Sequence, residues 1–177
     1  MKDTLLNFLL LLFLVGTACP QNVALPPPPD KDPSVGVWSK NKDKSQPIAE
    51  GTNVLEETYD SETVARDGDD IVVTEKIGPR RWRGGSDVAK ATKRTFKLRC
   101  DGSLHPLPGG SGSCNYVGAN IVEGKTTYSR DDVIFPRHTT FFWRTEISAD
   151  GKEMRDSSYK DAAMTKRISL TVFDRVK

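Results

Sequence analysis

Histidine and long apolar runs are both scarce in this 177-residue chain, and each scarcity excludes a class of function. Only two His occur, and neither the Gly-x-Ser-x-Gly motif of serine hydrolases nor the His-Glu-x-x-His motif of zinc peptidases is present. The formal net charge of +2 gives no strong field to attract nucleic acid. These absences predict a protein that is not an enzyme, holds no cofactor or metal and does not bind nucleic acid.

The N-terminal segment has the pattern of a secretory signal peptide. A short head with Lys2 precedes the apolar run Leu5–Val15, and the small residues Gly16, Thr17 and Ala18 follow. The run is shorter than the roughly 20 residues that a membrane-spanning helix needs. No second run of this kind occurs, which excludes a polytopic membrane protein. We therefore expect residues 1–18 to direct export.

Cys19 directly follows this leader. A small residue before the first Cys after an apolar run resembles the lipobox of bacterial lipoproteins, although Gly16 stands where that family usually has Leu. The resemblance implies that Cys19 carries lipid and holds the protein at a membrane surface in the periplasm or elsewhere in the cell envelope. The alternative is ordinary signal-peptide cleavage and secretion, with a free thiol at Cys19.

A proline-rich stretch separates the leader from the rest of the chain. It contains four consecutive prolines, Pro26–Pro29, and such a composition favours an extended polyproline II conformation. We expect residues 19–34 to be a tether and residues 35–177 to form one folded domain.

The cysteine count favours one disulfide in this domain. The chain has three cysteines, and an anchored Cys19 leaves Cys100 and Cys114 as an even pair. Exported proteins experience oxidising conditions in which such pairs form bonds. The sequence therefore predicts a Cys100–Cys114 disulfide.

Alternating apolar and polar residues predict β-strands over most of the domain. The clearest segments are Thr95–Cys100, Thr139–Ser148 and Arg167–Arg175. A period of two with branched and aromatic residues is typical of half-buried antiparallel strands. On the apolar faces, we expect Phe96, Leu98, Phe141 and Trp143 to line an internal cavity; the alternative is that they fill the core.

Four acidic-residue–glycine pairs predict the turns between these strands. They are Asp67-Gly68, Asp101-Gly102, Glu123-Gly124 and Asp150-Gly151. Glycine readily adopts the positive φ that tight hairpin turns require. Four hairpins imply about eight strands, and we expect a single all-β, antiparallel up-and-down barrel. A β-sandwich has the same local pattern and is the alternative.

The two ends of the domain carry a resemblance to a known family. The segment Gly36-Val37-Trp38 at the start and Asp174-Arg175-Val176 at the end resemble the lipocalin superfamily, in particular small exported bacterial proteins of lipocalin-like type. The resemblance implies an eight-stranded barrel in which Trp38 plugs the closed end and Arg175 packs across it.

A basic segment with an aromatic residue is the sharpest local feature. Arg80, Arg81, Trp82 and Arg83 lie between Gly78-Pro79 and Gly84-Gly85, which predicts an exposed loop. Arginine suits bidentate contacts with phosphate or carboxylate, so this loop would contact anionic lipid headgroups or an acidic ligand. The alternative is a solvated loop whose Trp82 folds back over the barrel end.

Together these patterns predict an exported, lipid-anchored barrel that binds a small apolar or amphiphilic ligand without catalysis. The alternative is a structural or protein-interaction module of the cell envelope, with a barrel filled by its own side chains.

Overall fold

The computed structural model describes residues 31–50, 53–131 and 136–177, which form one antiparallel sheet. The predicted signal peptide, Cys19 and the predicted tether up to residue 30 lie outside the described residues. Among those described, no helix is long and apolar enough to cross a bilayer.

Twelve strands lie within the described residues. They are β1 (Gly36–Lys40), β2 (Ile48–Glu50), β3 (Asn53–Asp67), β4 (Asp70–Trp82), β5 (Asp87–Ala89), β6 (Thr92–Arg99), β7 (His105–Leu107), β8 (Gly110–Gly118), β9 (Ile121–Tyr128), β10 (Thr140–Ile147), β11 (Glu153–Tyr159) and β12 (Arg167–Arg175). The strands β6, β10 and β12 overlap the three segments of clearest alternation. In β12 the inward face carries Ser169, Thr171 and Phe173.

The strands follow one another as a meander that almost closes. From β1 the sheet runs through β3 and β4 to β6 on one side, and through β12, β11, β10 and β9 to β8 on the other. Between β6 and β8 lies a seam, held by the Cys100–Cys114 disulfide and an isolated bridge from Asp101 to Asn115. The predicted up-and-down antiparallel barrel and its disulfide are confirmed, with more strands than the eight expected.

Three of the four predicted turns are present. Gly68, Gly102 and Gly151 have φ of 60°, 81° and 67° and follow β3, β6 and β10. The turn predicted at Glu123-Gly124 is wrong, because Gly124 lies inside β9 opposite Trp143. A β-carbon at Gly124 would overlap the Trp143 indole, so this glycine makes room for a neighbouring strand's side chain.

Antiparallel order gives the barrel two distinct ends. The connections at 68–69, 100–104, 119–120 and 148–152 lie at one end, which we call the base. Those at 41–47, 83–86 and 160–166 lie at the other, the mouth. An apolar core occupies the basal half and consists of Trp38, Val64, Ile71, Val73, Tyr116, Ile147, Met154 and Phe173.

Trp38 and Arg175 meet at the base. Trp38 is fully buried, its indole N–H donates to the Ser34 carbonyl at 2.7 Å, and the Arg175 guanidinium lies 4.2 Å from its ring centroid. Arg175 also donates to the carbonyls of Gly151, Val35 and Pro33 at 2.5, 2.8 and 2.5 Å. The predicted stacking contact is therefore present, and it joins the first and last strands.

The surroundings of Gly36 explain why the Gly-x-Trp segment has a glycine at this position. Its φ is 154°, and a β-carbon there would stand 2.6 Å from the Arg175 guanidinium. Any larger residue would displace the arginine from the three carbonyls that it binds.

The segment before Val35 packs against the base as well. Asp32 and Ser34 are buried, and Asp32 accepts a 2.6 Å hydrogen bond from the Tyr116 hydroxyl. Arg66 donates to the same hydroxyl at 3.3 Å. Burial and the Asp32 carboxylate raise the pKa of Tyr116 far above its ordinary value, so the phenol keeps its proton and donates it. The packed chain thus includes residues 32–34 of the expected tether.

Candidate functional site: a cavity in the barrel

A cavity of about 580 Å³ lies inside the barrel, on the mouth side of the apolar core. Phe96, Leu98, Phe141 and Trp143, the four residues expected to line such a space, all line it. Lys90 and Arg130, both exposed, also contribute to the lining, so the cavity is accessible from solvent. Its size is within the range of about 300–1,000 Å³ that is usual for small-molecule sites.

One wall of the cavity is aromatic and held in a defined orientation. The Trp143 indole N–H donates to Thr126 Oγ1 at 3.3 Å, and the ring packs over Gly124. The rings of Tyr128 and Phe141 lie 5.6 Å apart at 33°. Because hydrogen bonding and packing fix these rings before any ligand enters, little conformational entropy would be lost on binding.

Three carboxyl groups, Glu62, Glu75 and Asp156, form a second feature of the lining, which we call the carboxyl layer. Glu62 is the cross-strand partner of Glu75, and Glu75 is the partner of Arg94, with which it forms an ion pair. Asp156 reaches the cavity from β11 and accepts a 2.7 Å hydrogen bond from Thr145. Within the described ranges, no group of three His, Cys, Asp or Glu side chains is arranged as a set of metal ligands.

Two members of the carboxyl layer, Glu62 and Asp156, hold their protons more tightly than carboxyls in water. Burial, followed by the charges of Asp156 and Glu75, raises the pKa of Glu62 well above its ordinary value, against the opposing effect of Arg94. Burial raises the pKa of Asp156 to about 6, although the hydrogen bond from Thr145 lowers it. Removal from water disfavours the charged form of both groups.

From the raised pKa of Asp156 we predict that the contribution of this residue to the stability of the ligand-free protein falls as pH rises from 4 to above 6. The pKa of Asp156 is about 6 in the folded state and 3.8 ordinarily, so folding is unhindered below the lower value and disfavoured above the higher one. We expect Asp156→Asn to raise the free energy of unfolding by up to roughly 3 kcal/mol at pH 7.5 and to change it little at pH 4. Urea unfolding at both pH values measures this.

The matched control is Asp174→Asn on β12, since the Asp174 side chain is 53% exposed. We expect its effect on stability to be small and similar at both pH values. An equal effect of Asp156→Asn on stability at pH 4 and at pH 7.5 would contradict the assignment of a raised pKa to Asp156 in the folded state.

The basic segment is arranged differently from the predicted loop. Arg80, Arg81 and Trp82 belong to the mouth end of β4, where their backbones pair with β3 and β5, and Arg83 opens the turn that follows. Gly78 and Pro79 do not end the strand, because the register shift between Glu57 and Tyr59 of β3 accommodates them. Arg80 lines the cavity and Trp82 is half-buried, so the prediction of one exposed loop is wrong.

The carboxyl layer was missed by reasoning from the sequence, although one signal for it exists. Glu75 stands among the inward residues Ile71, Val73 and Ile77, where it breaks an apolar alternation. A single carboxylate on the inward face of a strand indicates an internal polar site.

Comparisons with known proteins give no family or relative from which to infer a function, so the inference depends on the cavity. No protein-family model matches the chain, and no curated protein matches it.

Proposed function

We propose that this protein is an exported β-barrel that binds one small amphiphilic molecule in its interior, without covalent chemistry. The observation that carries the proposal is the cavity of about 580 Å³, which combines aromatic walls with inward carboxyl groups. A barrel filled by its own side chains would leave no such space. Burial of an apolar ligand against Phe96, Phe141 and Trp143 contributes about 25 cal/mol per Å² of apolar surface.

Export is part of the proposal and is supported by two features of the chain. The leader at residues 1–18 has the pattern of a signal peptide, and the Cys100–Cys114 bond is of a kind that persists in oxidising compartments. Lipid on Cys19 would hold the barrel at a membrane surface, as the lipobox resemblance implies. The lipocalin-like identity is likewise proposed, and the contact of Arg175 with Trp38 supports it.

A titration with the neutral fluorescent amphiphile N-phenyl-1-naphthylamine tests the proposed function. We expect saturable binding with one site per chain, accompanied by enhanced probe fluorescence. Ser169 lines the cavity from β12, so Ser169→Phe places a ring inside the cavity and should weaken binding by about tenfold or more.

The matched control is Ser39→Phe, the same change at an exposed position of β1. Its affinity for the probe should equal that of the unmodified protein. Absence of saturable binding, or equal weakening by both variants, would show that the barrel interior is not the site.

A further inference from the structure

The chemistry of the carboxyl layer indicates which end of an amphiphile would enter the cavity first. Glu62, Glu75 and Asp156 all line the cavity, and among the described residues Arg94 is the one cation in an ion pair with any of the three. The charges that act on Glu62 are those of Asp156, Glu75 and Arg94. The other cations of the lining lie outside this layer: Arg144 is paired with Glu123, and the remaining four lie toward the mouth, namely Lys40, Arg80, Lys90 and Arg130. The excess of acidic charge is therefore local to the carboxyl layer.

Glu62 is the member of the layer best placed to receive a ligand. Its carboxyl is half-buried and lines the cavity, and no described residue donates a hydrogen bond to it. A partly desolvated carboxylate without a protein donor can gain free energy by accepting charge-assisted hydrogen bonds from a cation. Glu75 forms an ion pair with Arg94, and Asp156 accepts a hydrogen bond from Thr145. The Glu62 carboxyl oxygens can therefore accept hydrogen bonds from a ligand in the cavity.

The apolar walls lie beside this layer on the neighbouring strands. Phe96 follows Arg94 on the inward face of β6, and Trp143 precedes Thr145 on the inward face of β10. A molecule with its polar end at Glu62 and Asp156 would therefore place its body against Phe96 and Trp143. An ammonium group supplies up to three N–H donors and a positive charge, which suits adjacent carboxylates on different strands.

We propose that the ligand is a cationic amphiphile, an amine with an apolar body, whose ammonium group binds Glu62 and Asp156. This inference rests on the proposed function and narrows it to one chemical class. The raised pKa of Glu62 and Asp156 agrees with it, because a bound cation supplies the positive charge that the free layer lacks.

Three probes of equal chain length test the inference: octylamine, 1-octanol and octanoate, each displacing N-phenyl-1-naphthylamine at pH 7.5. We expect the affinity of octylamine to exceed that of 1-octanol by about tenfold or more, because the ammonium group adds charge-assisted hydrogen bonds. Octanoate should bind most weakly, because its charge has the same sign as the carboxyl layer.

Variants locate the preference at the carboxyl layer. Glu62→Gln keeps the side-chain shape and removes the charge, so octylamine should lose about tenfold in affinity while 1-octanol keeps its own. Asp156→Asn provides a second variant with the same expected direction. Glu146→Gln, at a position on the outer face of β10 with a side chain 41% exposed, is the matched control and should change neither affinity.

The possible outcomes separate the inference from the proposed function. Equal binding of octylamine and 1-octanol, or tightest binding of octanoate, overturns the amine assignment and leaves a ligand-binding barrel. A preference for octylamine that survives in both Glu62→Gln and Asp156→Asn overturns the role of the carboxyl layer. Failure of the fluorescent probe and of all three amphiphiles to bind overturns the proposed function itself.

Discussion

Trp38→Ala should lower the free energy of unfolding by about 3–5 kcal/mol, the usual cost of truncating a fully buried large aromatic side chain. Trp38 has no exposed surface, donates to the Ser34 carbonyl and lies under the Arg175 guanidinium. The change would create a cavity in the core and remove the support on which Arg175 stacks. Because domains of this size have about 5–15 kcal/mol of stability, much of the total would be lost.

Urea unfolding followed by circular dichroism measures this effect. Trp82→Ala is the control, since Trp82 is half-buried at the mouth end of β4 and away from the basal core. We expect a clearly smaller loss for it. Equal losses for the two variants would mean that Trp38 is not the central residue of the base.

The second large effect is expected at the seam between β6 and β8. Replacing both Cys100 and Cys114 with Ser should lower the free energy of unfolding by roughly 3 kcal/mol, the chain-entropy value for a loop of this size. The two cysteines are 14 positions apart in sequence. Beyond the disulfide, the backbone hydrogen bonding described across the seam consists of the Asp101–Asn115 bridge and the hydrogen bond from Gly102 N–H to the Cys114 carbonyl.

The double Ser variant should therefore retain its β-sheet spectrum while its urea midpoint falls. Hydrogen exchange should accelerate first in β6, whose second edge is paired with none of the described strands along most of its length. The unmodified protein under a reducing agent is the control and should approach the variant. An unchanged midpoint in both cases would show that the barrel closes without the disulfide.

Local patterns were sufficient to predict the strands of clearest alternation and most turns. The segment Arg167–Arg175 is a strand with the bounds that alternation indicated, and three of the four acidic-residue–glycine pairs are turns. Gly124 could not be recognised as a strand residue from its neighbours. A glycine is needed at this position because the Trp143 ring of a neighbouring strand packs over it. That requirement comes from tertiary packing and not from the local conformation of the chain.

The aromatic part of the site was predictable and the acidic part was not. Parity alone places Phe96, Leu98, Phe141 and Trp143 on inward faces, and all four line the cavity. The meeting of Glu62 with Asp156 depends on barrel closure and on the register of strands far apart in sequence. Alternation in the sequence indicates which side chains of a strand point inward, but it does not indicate how far along the barrel axis each of them lies.

The contacts of residues 32–34 also depend on the closed barrel. Asp32 follows a run of prolines and charged residues that favours an extended tether, yet its carboxylate reaches Tyr116 on β8. The sequence around Asp32 contains no sign of that partner, because Tyr116 comes from a strand 84 positions later.

The most direct measurement of the central claim, a ligand inside the barrel beside the carboxyl layer, is the NMR response of the three tryptophan indoles to octylamine. Trp143 lines the cavity, Trp38 lies in the basal core and Trp82 lies at the end of β4. We predict that the Trp143 indole resonance shifts and saturates at one octylamine per chain, while the Trp38 resonance does not move. An unmoved Trp143 resonance at saturating octylamine would contradict a ligand site in the barrel interior.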